Sequence, residues 1–366
     1  MSLFETIHSD GHEQVVFFQD SNCGLKAIVA IHDTTLGPAL GGARMWTYAS
    51  EDEAIKDALR LAKGMTFKAA AAGLKLGGGK AVIMGNPKED KSELLFRAFG
   101  RCVNTLGGRY ITAEDVGTDV IDMEYVYMET PYVTGVDTAH GGSGNPAPFT
   151  AYGVYQGIKS ALEFKTGKKS CKDLKIAVQG LGQVGWNLAK MLVKEGAIVF
   201  ATDIDSELCK RAKDELKIQE IVHPDEIYSV NCDIFTPCAL GSVINDKTID
   251  QLKCKIIAGA ANNQLDQESH GDILQKKGIL YAPDYIVNAG GLINVYVELE
   301  GYSRERALRL CRSVYYNTKK VCKIAQEENI STHVAADRLV KHRLDALRKL
   351  QPHFNVFPRE KFDKRR

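Results

Sequence analysis

The sequence predicts an α/β protein of two domains, the first built on a mixed sheet and the second on a parallel one. At 366 residues the chain exceeds what a single hydrophobic core ordinarily serves, so two cores are expected. The stretch from Gly135 to Pro148 is crowded with Gly, Pro, Asn and Ser, which marks a boundary and a hinge. Beyond it, from Leu174, the order is strand, glycine-rich turn, helix, strand, the signature of a doubly wound parallel sheet. The expected domains are residues 1–136 and 137–330, sharing a cleft.

In chain order, Gln14–Phe18 and Leu25–His32 read as short strands rich in Val, Ile and Phe. Ser50 with Glu53 three residues on reads as a capping box. Ile55, Ala58, Leu59, Ala62 and Met65 follow at helical spacing, and the helix should stop near Gly73. Gly77, Gly78 and Gly79 are expected to break the chain before Lys80 opens the apolar run Ala81–Met84, a buried strand. Another strand is expected at Arg109–Ala113, and a long helix from Thr150 toward Phe164. Val334–Leu350 repeats apolar residues on one helical face, and the charged tail Pro358–Arg366 reads as a solvated end.

Composition excludes several classes. With 47 Lys and Arg against 46 Asp and Glu the net charge is +1, so no field calls for nucleic acid. The N-terminal residues have no apolar signal core, and no stretch approaches the roughly 18 apolar residues that cross a bilayer, so a cytoplasmic protein away from membranes is expected. Nine cysteines, an odd number without a secretion signal, read as reduced thiols. Cys232 and Cys238 are close in sequence, but no Cys-x2-Cys or His-Glu-x-x-His spacing accompanies them and no metal is expected.

The strand Leu174–Gln179 leads directly into Gly180-Leu181-Gly182-Gln183-Val184-Gly185, and Trp186–Glu195 reads as helix. Gly180 permits the tight turn, Gly182 lets the backbone approach a pyrophosphate, and Gly185 allows helix to pack on strand in a Rossmann-type unit. The phosphates would meet the free N–H groups of a helix N-terminus. A second strand, Ala197–Thr202, ends at Asp203, 23 positions after Gly180, where a carboxylate can accept from both ribose hydroxyls. Asp203 would repel a 2′-phosphate, and Ile204-Asp205 supplies no arginine, so NAD is favoured over NADP.

Lys80 lies where flexible glycines give way to an apolar strand, and Lys68 precedes it across the glycine-rich turn. Desolvation and a neighbouring cation would lower a lysine pKa toward that of a usable base. Asp115 follows the strand Arg109–Ala113, at a strand end where α/β proteins commonly place functional groups. The same spacing equally suits lysines that run to solvent and an aspartate that caps a turn.

Several long motifs bear on that choice. They are Thr34-Thr35-Leu36-Gly37-Pro38-Ala39-Leu40-Gly41-Gly42-Ala43-Arg44, Leu76-Gly77-Gly78-Gly79-Lys80-Ala81, Thr112-Ala113-Glu114-Asp115-Val116-Gly117, Gly142-Ser143-Gly144-Asn145-Pro146, Gly259-Ala260-Ala261-Asn262-Asn263-Gln264, and Pro283-Asp284-Tyr285 through Asn288-Ala289-Gly290-Gly291. Together, and in this order, they resemble the glutamate, leucine, phenylalanine and valine dehydrogenase family over nearly the whole chain. The resemblance implies NAD-dependent oxidative deamination of an L-amino acid to its 2-oxo acid and ammonia. Lys68 would bind the substrate carboxylate, Lys80 would activate water and polarise the carbonyl, and Asp115 would exchange protons with the amino group. Thr150 and Asn262 match residues that meet the nicotinamide end, while Gly41 and Gly42 would line the cleft with backbone. Residues 331–366 would return to the first domain, which would bind substrate and carry oligomer contacts. The resemblance also implies a homo-oligomer, an octamer as in leucine-type members, and a cleft that closes on binding.

Leu40 stands where glutamate-specific members carry a lysine, so an acidic substrate would bury an unpaired charge at a cost of several kcal/mol. Ala113 and Asn145 match leucine-type members. Leu292 matches phenylalanine-type members instead, and Val295 completes the expected pocket. Branched-chain substrates are therefore expected, with a phenylalanine-type or broader apolar specificity as the alternative. A hydroxy-acid or aldehyde dehydrogenase would place histidine or cysteine at the reacting centre, whereas the motif-bearing turns hold lysines and Asp115, with His140 nearby. A non-catalytic NAD-binding regulator would lack the paired lysines.

Overall fold

A computed structural model describes residues 3–349, so the tail Pro358–Arg366 and the expected helix end at Leu350 lie outside the described residues. The described chain divides into two compact units. The first holds the residues up to Asn145, Val295–Arg304 and those from Val340. The second holds Pro146–Asn294 and Glu305–Leu339.

In the first unit, α1 (Leu3–Asp10) precedes the hairpin strands β1 (Gln14–Asp20) and β2 (Leu25–Asp33), followed by β3 (Ala39–Trp46), α2 (Glu51–Ala72) and β4 (Gly77–Met84). Then come α3 (Glu93–Thr105), β5 (Tyr110–Glu114) and α4 (Val120–Tyr127). The five strands form a mixed sheet in the order β1-β2-β4-β3-β5, with β3 parallel to both of its neighbours and β2 antiparallel to β1 and β4. Ala54, Ala58, Leu59 and Ala62 of α2 bury against Ile28, Ala30 and Val82, the small residues letting the helix lie close to the sheet.

Two local expectations change. The Ser50 side chain accepts from Glu53 N, but Glu53 Oε2 accepts from Ala49 N, so the reciprocal arm of the capping box reaches one residue too far back. The triple glycine does not break the chain; it forms the start of β4. A Cβ on Gly78 would lie 2.0 Å from Thr66 N and 2.2 Å from Thr66 Oγ1, and one on Gly79 would lie 2.7 Å from the Tyr110 ring. These glycines serve close approach inside a buried sheet, not chain reversal. The expected end of α2 matches the structure, since Gly73 has φ 78° and its N–H closes the last turn.

In the second unit, α5 (Ala147–Thr166) leads to β6 (Lys175–Gln179), α6 (Gln183–Glu195), β7 (Ile198–Thr202), α7 (Ser206–Leu216), β8 (Glu220–Ile221), β9 (Ile234–Pro237) and β10 (Ile256–Ile257). The helix α5 thus starts three residues before Thr150, with Pro146 supplying the fixed backbone angle of a helix start. Then follow α8 (Glu268–Lys276), β11 (Leu280–Tyr281), α9 (Asp284–Val287), α10 (Gly290–Glu298), α11 (Arg304–Cys311), α12 (Ser313–Glu328) and α13 (Thr332–Arg348). The strand order β8-β7-β6-β9-β10-β11 is all parallel. That order places β6 and β9 at the switch point, where successive crossovers leave in opposite directions and a ligand crevice opens at the strand ends.

Among the described residues no helix is long and apolar enough to cross a membrane. All nine cysteines are free, and burial pushes Cys171, Cys232, Cys254, Cys311 and Cys322 up to about 12. These thiols pack as small hydrophobes.

Candidate active site

In the first unit the chemistry gathers on three neighbouring strands, β4, β3 and β5. Lys80 on β4 is 5% exposed at its side chain, and its Nζ lies 2.9 Å from Oδ2 of Asp115, which follows β5. Burial drives the Lys80 ammonium below its ordinary pKa. Asp115 pulls it back up and Arg44 pushes it further down, and the net shift is downward. For Asp115 burial acts against the charged form, but the Lys80 and Arg44 cations outweigh it and hold the carboxyl below its usual value. The turn is fixed by Thr118, whose Oγ1 accepts from Asp115 N at 2.8 Å and donates to Ala43 O at 2.9 Å. The result is an ion pair in which the lysine is the partner closer to losing its charge.

Around this pair the backbone is crowded. Gly42 stands opposite Ala113 in the β3–β5 register, and Leu40 opposite Ile111. A Cβ on Gly41 would lie 1.7 Å from Gly79 O, and one on Gly42 would lie 2.8 Å from Asp115 Cβ. No side chain fits at either position while the strands keep this spacing. Leu40 and Ala113 are buried, Lys68 is half-buried on α2, and Val295 is half-buried on α10. About three turns of α2 before Lys68, Asp57 bonds Arg44, Tyr48 and Arg60.

The second unit holds the glycine-rich loop between β6 and α6. Gly180 has φ 97°, and a Cβ there would lie 2.8 Å from Ala239 Cβ, just past β9 at the switch point. A Cβ on Gly185 would lie 1.9 Å from Gly180 O. Gly182 differs, because a Cβ on it would meet nothing within 4 Å. Protein packing therefore explains two of the three glycines, and the space beside Gly182 fits a pyrophosphate at the end of α6, whose N-cap has no side-chain hydrogen bond. Leu181 is buried, and Gln183 and Val184 form the first turn of α6. Asp203 latches this loop: its Oδ2 accepts from Leu181 N at 2.6 Å and its Oδ1 from Asp205 N at 2.9 Å. Each oxygen keeps a further lone pair with which a ribose hydroxyl could be met.

Thr150 and Asn262 also belong to the second unit. Thr150 Oγ1 donates to Pro146 O, and Asn288 Nδ2 donates to Asn262 Oδ1 at 2.8 Å. A Cβ on Gly291 would lie 2.7 Å from Thr150 Oγ1, so the turn between Asn288 and Gly291 reaches both residues. Leu292, 7% exposed, sits in this unit on the first turn of α10.

The expected residues thus fall into two groups. Lys68, Lys80, Asp115, Leu40, Gly41, Gly42, Ala113 and Val295 belong to the first unit; the glycine loop, Asp203, Thr150, Asn262 and Leu292 belong to the second. Sequence reasoning missed Arg44, Asp57 and Tyr48. Arg44 closes the first motif and lies between two carboxylates. Its signal was its place on β3 two residues beyond Gly42, the same face as the glycine that abuts Asp115.

Residues 12–132 match the Glu/Leu/Phe/Val dehydrogenase dimerisation domain, and residues 141–226 and 202–351 match the glutamate/leucine/phenylalanine/valine dehydrogenase domain. The leucine dehydrogenase of Geobacillus stearothermophilus is 56% identical over 97% of this chain and 96% of its own length. The phenylalanine dehydrogenase of Caldalkalibacillus thermarum is 47% identical over 94% of each chain. The crystal structure of the L-tryptophan dehydrogenase of Nostoc punctiforme superimposes with a TM-score of 0.84 at 46% identity, covering 95% of this chain and all of that one.

Proposed function

The chain belongs to the glutamate/leucine/phenylalanine/valine dehydrogenase family, and on that premise we propose that it carries out the reversible, NAD-dependent oxidative deamination of L-leucine and other branched-chain L-amino acids to 2-oxo acids and ammonia. The observation that carries the reading is the buried Lys80, held against Asp115 in a setting that favours its neutral form. A lysine whose ammonium is weakened by burial can serve as a base, which amine oxidation needs and a nucleotide-binding fold alone does not supply.

When bound, NAD supplies the hydride acceptor. Lys68 pairs with the substrate carboxylate and fixes the Cα–H bond. Asp115 takes a proton from the substrate ammonium, so that loss of hydride from Cα leaves an iminium carbon. Neutral Lys80 then removes a proton from water as the oxygen attacks that carbon. The protonated lysine afterwards supports the oxygen, and Asp115 returns its proton to the nitrogen. As the C–N bond breaks, the hydroxyl proton leaves with the departing ammonia as ammonium, the carbonyl forms, and Lys80 gives up its own proton to solvent. Burial of Lys80 keeps competing water from its amine and strengthens each of these charge interactions.

The apolar Leu40, 2% exposed, supports an apolar substrate, because a glutamate side chain would find no cation there. Leu292 favours a broader second reading that extends to phenylalanine, which the similarity to a phenylalanine dehydrogenase also supports. The match to a dimerisation domain supports a homo-oligomer, read here as an octamer. The test follows NADH absorbance with purified protein, NAD and a panel of L-amino acids. Branched-chain substrates should give the highest kcat/KM; a panel in which no amino acid reduces NAD would overturn the reading.

A further inference from the structure

Arg44 reaches two carboxylates at once. Its Nε donates to Asp115 Oδ2 at 2.9 Å, and its Nη1 donates to Asp57 Oδ2 at 3.0 Å. The Asp115 oxygen is the same one that Lys80 Nζ meets at 2.9 Å. The side-chain contacts of Asp115 therefore converge on Oδ2, and Oδ1 accepts no hydrogen bond among the described residues. Asp57 is anchored in turn, with Tyr48 Oη donating to its Oδ2 at 2.8 Å and Arg60 to its Oδ1 at 2.8 Å. Swinging Arg44 away from Asp115 would strand a partly buried guanidinium or break this second set of bonds.

We propose that Arg44 is a positioning residue of the deamination site: it holds Asp115 by Oδ2, leaves Oδ1 as the oxygen that exchanges protons, and sets a second cation beside Lys80. The inference rests on the dehydrogenase reading only for the identity of the proton donor and acceptor. Its electrostatic half stands on the cluster alone. The cation of Arg44 makes the charged form of Lys80 less favourable, and Asp57 softens that effect by neutralising Arg44 from behind. Other titratable groups that act on this cluster are Tyr48 and Arg60 behind Arg44, Glu114 beside Asp115, and Tyr110 on β5.

The two carboxylate partners give a test by sign. Arg44→Gln removes a cation and should raise the pH at which Lys80 loses its proton by about one unit. Asp57→Asn leaves Arg44 less neutralised and should lower it. Loosening of the site would instead admit water and raise it in both variants. The measurement is trace acylation of the folded full-length protein with acetic anhydride across a pH series, with Lys80 modification read by peptide mass spectrometry. It needs no turnover. Opposite shifts, with Arg44→Lys returning most of the Arg44→Gln shift, support the proposal. Shifts in the same direction, or no shift in Arg44→Gln, overturn it. If Arg44→Gln does not fold, Asp57→Asn still decides, since an upward or absent shift overturns the proposal. The pH profile of turnover in parallel separates the two claims: a wild-type protein that oxidises no amino acid sinks the dehydrogenase reading, while the labelling judges Arg44 independently.

Discussion

The two units solve their chemical problems with different materials. The first uses charge: Lys80, Asp115, Arg44 and Asp57 form a chain of ion pairs whose members come from β4, the turn after β5, β3 and α2. The second uses backbone: its glycine-rich loop is tied by Gly180 N donating to Thr202 O and by Leu181 N donating to the Asp203 carboxylate. The difference teaches where function can be injured. In the first unit a lost side chain leaves a buried charge without its partner, whereas in the second an added side chain at Gly182 would fill space that the proposed reading gives to the cofactor.

The largest expected effect separates the units completely. Lys80→Ala should lower turnover about 10³-fold, the size associated with loss of a positioned general base. NAD affinity, which the proposal places in the second unit, should stay within about twofold, measured by fluorescence titration. Near-normal turnover would remove Lys80 from the mechanism. If neutral Lys80 is the base, as proposed, the wild-type rate should rise with pH through its lowered pKa.

The first unit also contains a buried histidine pair with no counterpart in the nucleotide loop. His32 Nδ1 lies 2.8 Å from Thr66 Oγ1, and the rings of His12 and His32 meet edge to face at 4.8 Å. Burial pushes His32 from 6.5 down to about 4, so between those values the unfolded chain binds a proton that the folded one does not. Stability should therefore be flat with respect to this group above pH 6.5 and fall as the pH drops toward 4, by about 3 kcal/mol. Urea unfolding of wild type and His32→Asn across that range isolates the term by difference. Parallel pH curves for the two proteins would show that His32 does not contribute it.

How legible each region was follows from how it is assembled. The strand, glycine turn, helix and Asp203 of the second unit lie within one short βαβ segment, so local pattern displayed them together. Lys80 and Asp115 stood out as single unusual residues, but their contact required the order β4-β3-β5, which no local pattern contains. Arg44 was hidden for the same reason, since an arginine at a strand end reads as solvent-facing until Asp57 and Asp115 are seen on either side. Gly77 to Gly79 misled in the opposite direction. Their rule as chain breakers is sound, and it lost here to the close approach of Thr66 and Tyr110 to the sheet.

A smaller effect sharpens the backbone half of the contrast. Gly182→Ala adds a methyl group where nothing lies within 4 Å, so the melting temperature should not move appreciably. NAD affinity should fall about tenfold, because the methyl enters the space argued for the pyrophosphate. Gly185→Ala should do the reverse in stability terms: its Cβ would overlap Gly180 O, and the second unit should lose about 1–3 kcal/mol. A Gly182→Ala protein with wild-type NAD affinity would mean that the open space beside this residue is not where the phosphates lie.

The smallest expected effect concerns how the two units begin their key helices. At the start of α2, Ser50 has an extended backbone and its side chain accepts from Glu53 N, while α6 starts at Gly182 with no side chain to do the same. A helix meant to carry Asp57 and Lys68 at fixed positions gains from a built-in cap, whereas one meant to receive an anion must leave its N–H groups available. Ser50→Ala should cost about 1 kcal/mol. The loss should lie toward the low end of the range, because Glu51, Asp52 and Glu53 still place negative charge on the first turn. Since the cap is exposed and several turns from Lys68, turnover should be unchanged at temperatures where the protein remains folded. A drop in kcat without a drop in melting temperature would mean that the start of α2 is coupled to the site, and that the charged half of the molecule is set by its helix ends as well as by its strands.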